Sequence, residues 1–378
     1  MAQRKGTKSG GDGGSTGDTA GGGTGRDMGP GTGARGFIPK AGPGLGAASP
    51  VMVAGPGRSF INIPGMRHAV PLGPAVPSVS EVAMFDIGQV MADKNFASLD
   101  EANRELRKMI MRGPIPRSEP PDGEARAQRL AYDAYEDLSF GEDGLRLADQ
   151  ALAFHPDCAD AYLYKAMALE MDDVAKAVVL GRQAVEAGER ALGQDWLEES
   201  SGELWGHIEA RPLLRSYLFL ARTLWDLGSR LNAVVYLEDA LDFDGKEDGL
   251  GLRYLLLSWY LDMGEEMRSS LLLDRYKREK SAVWLYGDAL LKYWMRGEDR
   301  TSLARARKAL KANPHVAALL LGDGCGRPPD PRTYAYGDES EAWFCTELLV
   351  GAWEREGDAL EWLDEVRKRP VSQKRRPR

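Results

Sequence analysis

Histidine and cysteine are the scarcest reactive groups in this chain, with four histidines and three cysteines among 378 residues. Cys158, Cys325 and Cys345 lie far apart, are odd in number and lack the CxxC spacing of zinc sites. The sequence therefore predicts neither a disulfide framework nor a metal site, and free thiols fit a reducing compartment. We expect no cofactor.

Long apolar runs are also absent. The most apolar stretch, Leu250 to Leu261, is interrupted by Arg253 and is too short to cross a membrane. Arg4, Lys5 and Lys8 are followed by glycine and aspartate, where a signal peptide would need an apolar segment. We therefore expect a soluble cytoplasmic protein with no membrane partner. In a eukaryote, the basic C-terminus would also suit the nucleus.

Catalytic motifs are missing as well. The sequence contains no GxSxG, no Gly-x4-Gly-Lys-Ser/Thr and no HExxH. One unusual block holds His207, Glu209 and Arg211, which could act as an acid–base pair with an anion holder. The alternative is a loop histidine bonded to its own neighbours. These observations favour a protein that is not an enzyme.

Composition divides the chain into an arm, a body and a tail. Residues 1–80 hold 21 of the 44 glycines and 9 of the 21 prolines. Such a segment buries too little apolar surface to offset its backbone entropy, so we predict a disordered arm over 1–80. The last segment, 367–378, contains seven basic residues and no acidic one, and we predict a disordered basic tail.

Charge follows the same division. The formal net charge of −8 combines +5 in residues 1–80 and +7 in residues 367–378 with −20 in the body between them. An acidic body is a poor surface for nucleic acid and a suitable one for basic partners, including its own tails. Alternatively, the acid excess only keeps an exposed helical surface soluble. The tail resembles a nuclear-localisation or nucleic-acid patch, so nucleic acid is a candidate partner through the tail alone.

Helical patterns fill the body and predict an all-α fold. A helical pair is expected over 81–112, where Ser98 and Glu101 have the spacing of a capping box. A proline-rich linker follows over 113–123. Residues 124–366 read as helix, turn and helix repeatedly, with an insertion at 198–212, a loop at 322–337 and two capping helices at the end.

One unit matches the tetratricopeptide (TPR) signature of two helices in which small residues meet at a close crossing. Its positions are Tyr217, Leu220, Ala221, Leu224, Gly228, Ala233, Leu237 and Ala240. The next unit begins about 36 residues later and repeats the pattern less fully. Four to five units suffice for a right-handed solenoid, because each repeat buries its core against a neighbour.

Six blocks in constant order resemble an uncharacterised, mostly bacterial family of TPR proteins and, more remotely, the suppressor-of-tumorigenicity TPR group. The blocks are Phe96–Asn103, Cys158–Tyr162, Trp205–Pro212, Gly251–Leu256, Asn313–Val316 and Tyr336–Ala342. The resemblance spans roughly residues 85–365. It implies a helical-repeat fold and no assigned activity.

In the TPR fold the first helix of each unit lines a concave groove, and aromatic and arginine side chains anchor partners most strongly. We expect three or four of the candidates for this groove to be buried instead, because TPR helices pack on several sides. The candidates are Tyr164, Met167, Arg215, Arg222, Trp225, Tyr254, Trp284 and Trp294.

The sequence thus favours a non-enzymatic scaffold or adaptor that holds a protein or peptide in this groove, with partner and oligomeric state unspecified. An apolar segment with acidic residues near Arg215 and Arg222 would suit it. Two alternatives stay open. One is an electrostatic chaperone for a basic or nucleic-acid-bound protein, and the other is an enzyme centred on His207 and Glu209.

Overall fold

The computed structural model describes most of the body, all of it within one compact unit that spans Ile38–Arg378. The described residues are 68–69, 76–92, 94, 96–121, 123–136, 138–245, 248–323, 333–355 and 357–369. The predicted disordered arm, apart from residues 68–69 and 76–80, lies outside this part of the chain. So does the tail beyond Arg369.

Helices dominate the described residues. Sixteen α-helices follow in chain order: α1 (Val79–Ala92), α2 (Leu99–Arg112), α3 (Gly123–Ala134), α4 (Glu142–Phe154), α5 (Ala159–Leu169), α6 (Val174–Leu192), α7 (Gln194–Ser200), α8 (Arg211–Asp226), α9 (Arg230–Asp244), α10 (Leu252–Met263), α11 (Glu266–Arg275), α12 (Ala282–Arg296), α13 (Arg300–Ala312), α14 (Pro314–Leu320), α15 (Glu339–Arg355) and α16 (Gly357–Lys368).

The exceptions to helix are small. Two 3-10 turns, Leu204–Gly206 and Ile208–Ala210, occupy the predicted insertion before α8. Two-residue strands β1 (His68–Ala69) and β2 (Thr333–Tyr334) pair antiparallel, with His68 opposite Tyr334. The expectation of an essentially all-helical body is therefore confirmed, although β1 gives structure to two residues of the segment predicted as a disordered arm.

The helices pack as consecutive pairs: α3 with α4, α5 with α6, α8 with α9, α10 with α11 and α12 with α13. This arrangement is compatible with a helical repeat. The largest apolar core extends from α6 to α16. One smaller core joins α3, α4 and α5, a second joins α5, α6 and α8, and a third joins Phe85 of α1 to Tyr132 and Ile208.

The α8–α9 pair, which holds the predicted TPR signature, shows how the sequence determines this packing. Its seven non-glycine consensus positions, from Tyr217 to Ala240, are all buried. Ala221 and Ala233 are fully buried, as the close crossing of two helices requires. Between the helices Gly228 has φ of 79°, and the amide of Ser229 donates to the carbonyl of Leu224 at 2.9 Å. That left-handed conformation favours glycine and ends α8 sharply.

The predicted helix start at Ser98 is also confirmed. Its hydroxyl accepts a hydrogen bond from the amide of Glu101, and the Glu101 carboxylate accepts one from the amide of Ala97 at 2.8 Å. The return bond therefore reaches one residue before the cap.

At the other end, α16 continues to Lys368, two residues into the segment predicted as tail. Arg367 and Lys368 pair with Asp364, and Arg369 pairs with Glu298 at 2.5 Å. Basic side chains in a last helical turn are favourable because they oppose the partial negative charge of the carbonyl end.

A buried carboxylate fixes α1 onto the first helices of three pairs. Glu81 is 1% exposed, and its two oxygens lie 2.8 and 2.7 Å from one guanidinium nitrogen of Arg215 on α8. The Tyr132 hydroxyl on α3 donates to the same carboxylate at 3.1 Å. Asp160 on α5 completes the pairing of Arg215 at 2.7 Å.

Burial alone would lower the pKa of Arg215, but the carboxylates of Asp160 and Glu81 hold that pKa well above its ordinary value. Burial, followed by the Glu81 charge, raises the pKa of Tyr132 well above its usual range. The guanidinium therefore stays charged and the phenol stays a donor. Pairing of this kind offsets the free-energy cost of removing a charge from water.

As α1 does for the earlier pairs, α15 packs on the first helices of two later pairs, α10 and α12. The Phe344 ring meets Tyr254 edge-on at 5.9 Å, and the Ser258 hydroxyl donates to the carbonyl of Leu348. The Glu341 carboxylate accepts from the amide of Ala282 at 2.8 Å. Both α1 and α15 thus cover helices that the sequence had assigned to an open groove.

Removal of the α1 carboxylate should be costly. We expect Glu81→Ala to lower the free energy of unfolding by about 3–5 kcal/mol, because it leaves Arg215 with one carboxylate and Tyr132 without an acceptor. Urea denaturation at pH 7 measures the change. The control is Glu136→Ala, which removes a carboxylate that is 66% exposed and should cost less than about 1 kcal/mol. Equal losses for the two variants would contradict the account of α1.

Candidate partner-binding surface

The eight predicted groove residues divide evenly between core and surface. Four are buried at 4% exposure or less, namely Tyr164, Arg215, Tyr254 and Trp284. The prediction that they line a groove is therefore wrong, while the expectation that three or four of the eight are buried is confirmed. The other four remain partly or fully exposed, namely Met167, Arg222, Trp225 and Trp294.

The buried four belong to contacts inside the protein. Tyr164 packs edge-on against Tyr135 at 5.2 Å. Tyr254 packs edge-on against Trp284 at 6.1 Å, and its hydroxyl donates to Glu279 at 2.9 Å. Arg215 pairs with carboxylates as described above. These side chains face α1, α15 or neighbouring helix pairs, so a partner has no access to them in this structure.

Met167 lies apart from the other exposed candidates. It contacts the two apolar cores that α5 separates, so its side chain packs between neighbouring helix pairs. This role suits methionine, whose flexible side chain fills irregular spaces. We therefore leave Met167 out of the candidate surface.

Trp225 begins a continuous set of contacts at the end of α8. Its ring stacks on Trp259 of α10 with centroids 4.4 Å apart and planes 2° from parallel. The Arg230 guanidinium lies over the outer ring at 4.9 Å. Aromatic stacking and cation–π contacts of this kind hold a ring in one orientation while part of it stays exposed.

Asp262 connects Trp225 and Arg230 to a third tryptophan, Trp294. Its carboxylate lies 3.0 Å from Arg230, and its carbonyl accepts a hydrogen bond from Arg355 at 2.9 Å. Arg355 in turn covers the ring of Trp294 at 4.5 Å. Residues from α8, α9, α10, α12 and α15 thereby meet on one surface.

A glycine makes this approach possible. Gly264, directly after α10, has φ of 76°, and a Cβ there would lie 3.0 Å from the Arg355 guanidinium. The residue thus satisfies both the turn and the close passage of the arginine.

Arg222 lies one helical turn before Trp225, on the neighbouring part of α8. It is exposed, and in the described part of the chain no carboxylate pairs with it. We call Arg222, Trp225, Arg230, Asp262, Trp294 and Arg355 the tryptophan–arginine surface. Its three arginines and one aspartate give it a formal charge of +2 within a body of net charge −20.

Three of these six residues, Arg222, Trp225 and Trp294, were predicted from the sequence. The prediction missed Arg230, Asp262 and Arg355, because it considered only aromatic and basic residues on first helices. Asp262 follows Trp225 by 37 residues, about one repeat, and that spacing could have suggested it. Arg355 comes from the capping helix, so no repeat spacing indicates its position.

The predicted alternative site offers little chemistry. The His207 Nδ1 atom lies 3.9 Å from the Glu209 carboxylate, beyond hydrogen-bond distance, and the imidazole packs edge-on against Trp196. Arg211 donates to the Trp205 carbonyl and covers that ring at 4.5 Å. The three side chains are therefore not arranged around a common substrate position.

The Cys158 thiol, which lines one pocket together with Glu209 of this block, supplies no nucleophile. Cys158 is buried, and burial raises the pKa of its thiol to about 12. It is therefore protonated at neutral pH, and only the thiolate is a good nucleophile. Among the described residues no three His, Cys, Asp or Glu side chains come together in a way that could hold a metal ion. Within the same residues, no helix has the length and apolar character needed to span a membrane.

A comparison of the sequence with models of protein families and with curated proteins finds no match. The resemblance to TPR proteins therefore stays a prediction.

The cation–π contact between Arg355 and Trp294 can be tested directly. We expect Arg355→Ala to cost about 0.5–1 kcal/mol of stability and to increase quenching of tryptophan fluorescence by acrylamide, because the guanidinium no longer shields the ring. Arg296→Ala is the control, since Arg296 is an exposed arginine on the same helix as Trp294. The same quenching in both variants would contradict the contact.

Proposed function

We propose that this protein is a non-enzymatic TPR-like scaffold that holds a segment of a partner protein on the tryptophan–arginine surface. In this proposal the helix pairs form a right-handed solenoid. The observation that carries it is the continuous contact from Trp225 through Arg230, Asp262 and Arg355 to Trp294, which keeps two large rings in place and partly exposed.

The location of the surface differs from that of most grooves in repeat proteins. Because α1 and α15 cover the first helices at the two ends of the array, the partner binds at the edge where first helices end. This arrangement supports a role in which the scaffold presents a rigid external surface, since the arginines and rings are already oriented before binding.

The chemistry of the surface indicates the chemistry of the partner. Tryptophan and arginine are the residues that dominate binding energy at protein interfaces. The unpaired Arg222 and the partly exposed Arg230 and Arg355 suit carboxylates, which guanidinium groups can bind through two hydrogen bonds. The partner segment therefore carries an apolar or aromatic anchor flanked by aspartate or glutamate.

The basic tail has an additional role in this proposal. Its first residues pair with carboxylates of the body, as Arg367 does with Asp323 at 2.9 Å and Arg369 with Glu298. The acidic body thus pairs with the first three residues of its own basic end. Binding to nucleic acid and a nuclear location stay predictions from the sequence of the tail.

Binding partners should depend on the two rings. We expect a Trp225→Ala, Trp294→Ala double variant to lose a defined subset of the proteins that wild-type protein captures from a lysate of its source cells, measured by quantitative mass spectrometry. Each ring should contribute about 2 kcal/mol or more if it is an anchor. Circular dichroism and thermal unfolding establish that the variant is folded.

The matched control is Trp196→Ala, which removes a partly exposed tryptophan outside the surface, on α7. Identical partner sets for the double variant and wild type would overturn the proposed surface. Capture that disappears for every variant between about 50 and 200 mM salt would instead favour the electrostatic chaperone.

A further inference from the structure

Four large apolar side chains are exposed on two second helices. Leu231 and Val235 on α9 are 66% and 50% exposed, and Met267 and Leu271 on α11 are 73% and 64% exposed. Within each helix the two residues are four positions apart, so they share one face. The second pair follows the first by 36 residues, the same spacing that relates these repeats.

Two ion pairs join these helices. Arg268 on α11 lies 3.6 Å from the Glu238 carboxylate on α9, and Arg275 lies 2.7 Å from that of Asp242. Leu271 falls one helical turn from both arginines, and Val235 falls one turn before Glu238. The apolar residues therefore flank the seam between the helices, and we call the four residues the second-helix stripe.

This clustering is a signal of binding. Single exposed apolar residues are ordinary on a protein surface, but two on one face of each of two ion-paired helices are a concentration of the kind that marks an interaction site. None of the tryptophan–arginine residues belongs to it.

The charges beside the stripe indicate what covers it. On α9 the same face continues into Asp239 and Asp242, and Glu189 of α6 and Glu238 lie close to Asp239. Partial burial and then the charges of Glu238, Asp242 and Glu189 raise the pKa of Asp239. Arginines pair with Glu238 and Asp242, while for Asp239 no basic partner occurs in the described part of the chain. A cation there would relieve the repulsion among these carboxylates.

We propose that the second-helix stripe is a docking site for a basic amphipathic helix of a partner protein. Apolar residues at positions i, i+4 and i+7 of that helix cover Leu231, Val235, Met267 and Leu271. Lysine or arginine on its flank meets Asp239 and its neighbours. The inference is independent of the tryptophan–arginine surface and gives the scaffold a second, oppositely charged site.

A synthetic helix tests the site on the full chain. The probe is a fluorescently labelled 18-residue peptide with leucine at i, i+3, i+4 and i+7 and lysine on the flanks. We expect saturable binding in fluorescence anisotropy, with a gain of peptide helix in circular dichroism. Leu231→Ser with Met267→Ser should weaken binding about tenfold or more, and Asp239→Asn about 2- to 10-fold.

Four controls keep the test specific. Met111→Ser removes an apolar residue that is 86% exposed on α2, and should leave binding unchanged. A peptide with glutamate in place of lysine should bind at least tenfold more weakly, and so should a scrambled peptide of the same composition. The Trp225→Ala, Trp294→Ala variant should bind the probe as wild type does.

Several results would overturn the proposal. They are no binding of the probe, equal binding by the Leu231→Ser, Met267→Ser variant, or equal binding of the scrambled peptide. Sedimentation analysis adds another outcome, since a dimer that dissociates on Leu231→Ser with Met267→Ser would assign the stripe to a second copy of this chain.

Discussion

The fold depends on one buried carboxylate. Glu81 brings a negative charge from α1 into a site formed by α3, α5 and α8, where Arg215 would otherwise hold a single counter-ion. The site is electrically balanced only when α1 is in place, because Glu81 and Asp160 face Arg215 with the nearby Arg211. Electrostatic balance at this depth specifies the position of α1 more strictly than apolar contact would, since an unpaired charge costs far more than a misplaced methyl group.

A second buried carboxylate, that of Glu341, holds α15 in place near the C-terminal end of the described residues. The Glu341 carboxylate on α15 accepts hydrogen bonds from the amides of Ala282 and Gly337 and from the Asn313 side chain. Burial raises the pKa of this carboxyl, and the three donors oppose that rise. Both α1 and α15 are therefore held by a specific polar group as well as by apolar packing. The helices that they cover can present their remaining surfaces to partners.

Local features of the fold were readable from the sequence, and long-range ones were not. The turn at Gly228 and the cap at Ser98 depend on residues within a few positions of each other. The burial of Arg215 could not be predicted, because its partner Glu81 is 134 residues away and no pattern on α8 identifies it. Trp284 looked like a groove residue, although Tyr254 and Tyr276 of the preceding helix pair pack edge-on against it. The tryptophan–arginine surface was half predictable, because Arg355 reaches Trp294 from a helix outside the repeats.

The sequence separation between contacting residues also sets an order of folding. Within each helix pair the contacting residues are at most a few tens of positions apart in the sequence. A pair can therefore form while the chain is still being synthesised. The Glu81–Arg215 pair and the Ser258–Leu348 contact span 134 and 90 residues, and closing such loops costs more entropy than closing a single pair. On the ribosome, α1 therefore emerges first but docks only after α8 has been synthesised. Until then Glu81, Tyr132 and the apolar residues beside them are open to chaperones, and the docking of α1 ends that period.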